Sequence, residues 1–138
     1  MKEVKYIPLD LVKADKNPNI IWKVKDVSQD KHGNVLYRVV AAEDNDAFIY
    51  LYEHQIASVP LTSEILEKNG WDKEPSENVT LYKYSTDKSN LYICKDSFNN
   101  KDWLVCVALD KYCVANINYV HQLQHLLFGL GLNLEMEV

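Results

Sequence analysis

Residues 119–138 read YVHQLQHLLFGLGLNLEMEV and carry the densest apolar periodicity in this chain. Val120, Leu123, Leu127 and Leu130 recur at i, i+3, i+7 and i+10, with Leu126 beside them, which is the core-facing stripe of a helix. His121, Gln124, His125 and Phe128 repeat at i, i+3, i+4 and i+7 on the other side, a polar and aromatic face. Gly129 and Gly131 supply the loose backbone that ends a helix. Leu132, Leu134 and Met136 then alternate with polar residues as a final short strand would. A helix near 118–130 laid across a sheet is the element around which the remaining segments have to be arranged.

Upstream of that helix, 79–117 repeats a strand-and-turn rhythm. VTLYKY (79–84), LYIC (91–94), WLVCVAL (103–109) and YCVANI (112–117) are separated by turns at 86–90, 97–102 and 110–111. Four short strands with local turns predict an antiparallel meander, with the C-terminal helix packed on one of its faces.

The segment PLTSEILEKNGW (60–71) marks the mid-chain junction. Thr62 is a suitable N-cap, Ile65 and Leu66 give a short helix its apolar side, and Asn69-Gly70 provides the stop. Trp71 is expected to fold back on that helix, and 72–78 reads as a polar loop. Before the junction, IIWKVKDV (20–27), VLYRVVAA (35–42) and AFIYLYE (47–53) read as three strands joined by DKHGN (30–34) and a tight turn at 44–46. Val4, Tyr6 and Leu9 could form an earlier strand, with a turn over 14–19. With 55–59 added, the first half predicts a small, strongly curved antiparallel sheet that could close into an SH3-like barrel. The class is α+β, divided into 1–59 and 60–138.

A chain of 138 residues, 47% hydrophobic and 11% aromatic, belongs to a folded protein with one core or two small ones. The net charge of −5 and a single arginine, Arg38, do not favour a nucleic-acid partner, which needs clustered Lys and Arg. No apolar run approaches the eighteen or so residues of a membrane span, and no leader pattern opens the chain. The expected location is the cytoplasm, with no membrane partner and with Cys94, Cys106 and Cys113 reduced.

His121 and His125 stand four apart, a spacing by which two imidazoles can share a metal ion. No acidic general base lies between them, and a third ligand would have to come from a cysteine or a distant carboxylate. A polar helix face is the simpler reading, so neither a metal nor another cofactor is expected. The three cysteines sit inside apolar strand patterns and read as small buried hydrophobes. With no phosphate loop, nucleophile elbow or Cys-x-x-Cys pair, the chain is not expected to be an enzyme. The aromatics say more. Phe48, Tyr50 and Tyr52 share one parity, and Ala47, Ile49 and Leu51 share the other. A strand apolar on both faces is either central or covered by a partner.

Two stretches resemble a family of small uncharacterised proteins from Bacteroides-type gut bacteria and their phages or prophages. One is carried by Pro60, Leu61, Thr62, Glu64, Leu66, Lys68 and Gly70, with Trp71 at the aromatic position. The other is carried by Val120, His121, Gln122, Leu123, Gln124, Leu126, Phe128 and Leu130. The chain departs from that pattern at His125, Leu127, Gly129 and Gly131. The resemblance covers about a fifth of the chain and implies a bacterial or phage source and an accessory role. The expected function is protein–protein contact with an unknown partner, self-association included. Its candidate surface comprises Phe48, Tyr50, Tyr52, His121, Gln124, His125 and Phe128. A nucleic-acid module built on the small barrel is the alternative, and a small metal-dependent or hydrolytic enzyme comes last.

Overall fold

The computed structural model describes residues 4–77, 79–86, 90–96, 103–107 and 113–138; for 45, 96, 106, 107 and 113–115 it describes the backbone alone. The chain is α+β, with antiparallel pairing throughout the described sheets and two α-helices. It divides into two compact units, Met1–Val59 with Tyr119–Met136, and Pro60–Asn118 with Glu137–Val138.

The first unit is built on β1 (Leu11–Ala14), β2 (Asn17–Gln29), β3 (Val35–Ala41), β4 (Asp44–Tyr52) and β5 (Ile56–Ser58), in the order β4-β3-β2-β1-β5. This sheet is open: β4 and β5 are its two edges, and the barrel closure suggested by the sequence does not occur. Period-two alternation explains the core. Trp22 and Val24 on β2, Tyr37 and Val39 on β3, Val12 and Ala14 on β1, and Leu51 on β4 all turn to one face and are buried together. The β2–β3 turn is organised by Asp30, whose carboxylate accepts the N–H groups of His32 and Asn34 at 2.9 Å each, with Gly33 at φ +81°.

Several N-terminal expectations need correction. Val4 to Leu9 form no ladder. Val4 to Ile7 lie against the core face, held where the Tyr37 hydroxyl accepts the N–H groups of Lys5 and Tyr6 at 3.2 and 3.3 Å, and 7–10 make a turn in which the Asp10 N–H donates to the Ile7 carbonyl at 3.1 Å. Pro8 lacks a ladder donor and Leu9 has φ +78°, so neither suits a regular strand. The first strand is instead β1, and the turn between β1 and β2 is confined to 15–16.

In the second unit, α1 (Ser63–Lys68) begins at Thr62, whose side chain accepts the Ile65 N–H at 3.3 Å, and stops at Asn69-Gly70. Trp71 returns onto the helix, its N–H donating to the Leu66 carbonyl at 3.0 Å and its ring stacking on Tyr84 at 5.1 Å. The meander has a fifth strand. β6 (Asp72–Glu74), read from sequence as loop, pairs with β7 (Val79–Ser85), followed by β8 (Asn90–Asp96), β9 (Trp103–Val107) and β10 (Cys113–Ile117). Its three charged residues carry no strand pattern; only the ladder to Leu81, Tyr82 and Lys83 makes them one. The connecting turns expected in this half lie wholly or mostly outside the described residues, as do the ends of its two later strand readings. Leu66, Trp71, Tyr82, Ile93, Trp103 and Val105 form the interior. Asn69 ties in the chain end: its amide donates to the Glu137 carbonyl and its Oδ1 accepts the Glu137 N–H, both at 2.7 Å.

The C-terminal helix α2 (Val120–Gly129) belongs to the first unit, not to the meander as its apolar stripe suggested. Val120, Leu123 and Leu127 are buried as expected, but Leu130 is 47% exposed, because the helix has already ended there. Gly131, at φ +73°, closes it in a paired cap: its own N–H donates to Phe128 O and that of Leu132 to Leu127 O, at 3.0 and 2.9 Å. Beyond it, 132–136 form no strand.

Candidate functional site

Two features of the first unit qualify as candidate sites, and the sequence had merged them into one surface. The first is polar and lies where α2 meets the start of β1. Gln124 is completely buried. Its Oε1 accepts the Leu11 N–H at 2.9 Å, and its amide donates to the carbonyls of Leu9 at 2.8 Å and Leu134 at 3.0 Å. One side chain thereby satisfies three backbone groups from two distant segments, including the carbonyl of the left-handed residue Leu9.

Beside it, Asp10 is fully buried and its Oδ2 meets His125 Nε2 at 2.6 Å while accepting the Ile7 N–H at 2.9 Å. Burial raises the Asp10 carboxyl above its ordinary value, against the pull of the Ile7 N–H and of His125. His121 is buried against Tyr6, edge-on at 4.9 Å, and stacks on Tyr119 at 5.9 Å. Desolvation, with the positive charges of His125 and Lys5 adding to it, pulls the His121 imidazole down to about 4. Asp10 Oδ1 and His121 Nδ1 have no hydrogen-bond partner among the described residues.

This cluster couples an acid to a half-exposed imidazole, an acid–base pairing in form. No set of three or more His, Cys, Asp or Glu among the described residues stands so as to hold a metal ion. The bonds of Gln124 and the contact of Asp10 Oδ2 with His125 fasten α2 and Leu9–Leu11 together. His121 and Gln124 therefore cannot serve on an outer surface, which corrects their place in the candidate set. Asp10 was missed because a lone acid inside PLDLV carries no spacing signal; only the tertiary contact with His125 gives it meaning.

The second feature is the outer edge of the sheet. Among the described residues β4 pairs with β3 alone. Phe48 is 51% exposed, Ile49 37% and Tyr50 56%, and the Phe48 and Tyr50 rings meet edge-on at 6.0 Å. Arg38, opposite Tyr50 on β3, forms an ion pair with Asp26 and lies over the Phe48 ring. Tyr52 is half-buried, its hydroxyl donating to Asp30 Oδ2 at 3.2 Å. The Tyr52 N–H goes to the Gln55 side chain at 2.9 Å, so residues of its parity turn their backbone groups away from β3. By alternation, Phe48 and Tyr50 present N–H and C=O to the open side.

The structure thus keeps Phe48, Tyr50 and Tyr52 together and removes His121, Gln124 and His125 to the β1 side of the sheet. Three ladder steps separate the two, roughly 14 Å at the usual strand spacing. Phe128, 62% exposed, stands with Leu130 at the end of α2. Among the described residues no helix is long and apolar enough to cross a membrane.

Fold and sites together define an α+β protein with a buried polar clasp and an apolar open sheet edge. Compared with known protein families, curated proteins and solved structures, the chain matches none.

Proposed function

We propose that this chain is a non-enzymatic accessory protein that works by protein–protein contact through the β4 edge. The observation that carries the reading is the strand itself: from Ala47 to Tyr52 it has six residues with no charge and no proline, apolar on both faces, and an edge paired on one side only. Sheet proteins ordinarily blunt such an edge with lysine, proline or extreme shortness, because its free N–H and C=O groups template another strand. The opposite edge, β5, has only three residues. An extended partner added to β4 would gain main-chain hydrogen bonds at Phe48 and Tyr50 and ring contacts from the same two residues. Nucleic acid is the weaker reading, since the only arginine is engaged by Asp26. The resemblance of 60–71 and 120–130 to small proteins of gut bacteria and their phages supports a mobile-element origin and work inside the bacterial cell.

Titration of isotope-labelled protein with short extended peptides of alternating apolar residues tests the edge. The Phe48 and Tyr50 amides should shift, and Tyr50→Pro, which removes an outward N–H without touching the β3 ladder, should abolish the response. Peptide shifts confined to other segments would defeat the reading.

A further inference from the structure

We infer that the occupant of the β4 edge is the β4 strand of a second copy of this chain, paired antiparallel about a two-fold axis through Ile49. The inference rests on the edge reading above and adds the identity of the partner. Its basis is the self-complementarity of the strand. Phe48 and Tyr50 point their backbone groups outward, so in an antiparallel pair residues of that parity must meet each other. The axis must then pass through a residue, not between two.

Centred on Ile49, the pairing sets Phe48 against Tyr50 of the second copy through the regular part of the strand, with Ala47 against Leu51 where the bulge at 45–47 begins. All five apolar positions from Ala47 to Leu51 meet apolar positions, with the small Ala47 facing the larger Leu51. No acid faces an acid, because Glu43, Asp44, Asp46 and Glu53 have no partners among themselves in this register. Centring on Phe48 instead would set Tyr50 against Asp46, Tyr52 against Asp44 and Glu53 against Glu43. Centring on Tyr50 would pair Phe48 with Tyr52, whose N–H the Gln55 side chain already holds. The charge pattern therefore rejects the Phe48 register and the engaged Tyr52 N–H rejects the Tyr50 register, and a closed two-fold pair about Ile49 also removes the exposed edge from both copies.

Ile49 then sits on the axis as a non-hydrogen-bonded pair, where opposing Cα atoms are about 4.5 Å apart, within disulfide reach. Sedimentation equilibrium of the full chain should show a dimer. Phe48→Glu combined with Tyr50→Glu opposes acid to acid twice across the axis and should weaken association at least ten-fold. Both side chains are more than half exposed in the monomer, so the variant should keep the wild-type circular dichroism. Under mild oxidation Ile49→Cys should give a covalent dimer, whereas Ala47→Cys should give no more than the wild-type chain. A dimer indifferent to the double substitution, or lacking the 49–49 cross-link, overturns the inference. So does a chain monomeric at all concentrations. If that monomer still shifts its β4 amides with extended peptides, edge docking survives without the second copy; if it ignores them, both readings fall.

Discussion

Asp10 and His125 stand 115 residues apart in sequence and meet side chain to side chain, Oδ2 to Nε2, at 2.6 Å. The acid is wholly buried and the imidazole half-exposed, so the pair closes the seam between Leu9–Leu11 and α2 from the solvent side. Removing the histidine leaves a buried carboxyl with one partner fewer and its Oδ1 already unsatisfied. His125→Ala should cost about 1–3 kcal/mol, the range for stranding a buried polar group, where an outward-facing histidine would cost far less. Thermal unfolding of His125→Ala, Asp10→Asn and the double variant measures the coupling. Additive losses would mean that the contact contributes nothing to stability.

Gln124 should be the least replaceable polar residue of the first unit. Gln124→Leu keeps much of the volume but strands the Leu11 N–H and the carbonyls of Leu9 and Leu134. A loss of about 3 kcal/mol or more is expected from three unsatisfied backbone groups. Gln124→Glu retains an acceptor for Leu11 but points a carboxylate at two carbonyls, so it should be no better. Urea unfolding of the two variants beside the wild type decides this.

Along α2, exposure and not hydrophobicity sets the cost of truncation. Leu123 is completely buried, so Leu123→Ala should lose roughly 2–5 kcal/mol. Phe128 is larger but lies mostly in solvent, and Phe128→Ala should change stability by no more than about 0.5 kcal/mol. Comparable melting temperatures for the two variants would contradict the placement of the helix.

His121 makes the first unit acid-sensitive. In the unfolded chain its imidazole protonates near 6.5, but in the fold, facing Lys5, His125 and the rings of Tyr6 and Tyr119, only at about 4. Between those values the unfolded chain holds the extra proton, so this contribution to stability is full above 6.5 and drains away as pH falls toward 4. The shift corresponds to at most about 3 kcal/mol. Asp10 acts with the opposite sign. Its raised carboxyl takes up a proton earlier in the fold than in the unfolded chain, which favours the fold as pH falls toward 3.8. Melting temperatures recorded from pH 7 to 4 should decline less steeply for His121→Phe than for the wild type. Parallel profiles would assign the acid sensitivity elsewhere.

Much of the local structure was legible in the residues. Thr62 and Asn69-Gly70 bounded α1, and DKHGN marked the connection of β2 to β3, in which Gly33 takes the positive φ. The apolar parity of 47–52 also flagged β4, though the sequence could not say whether the strand was central or at an edge. These features follow from interactions within a few residues, where side-chain chemistry and backbone preference act directly.

Only the tertiary structure decided which sheet received α2, and with it the fate of the polar helix face. Helical periodicity shows that Leu123 must be buried somewhere, but apolar burial is non-directional, and either sheet could have taken the stripe. The choice shows in directional contacts: Gln124 reaches Leu9, Leu11 and Leu134, and His125 reaches Asp10, partners up to 115 residues away. Such pairings leave no spacing signal in the chain, because hydrogen bonds between distant segments exist only once the backbone has brought their donors and acceptors together.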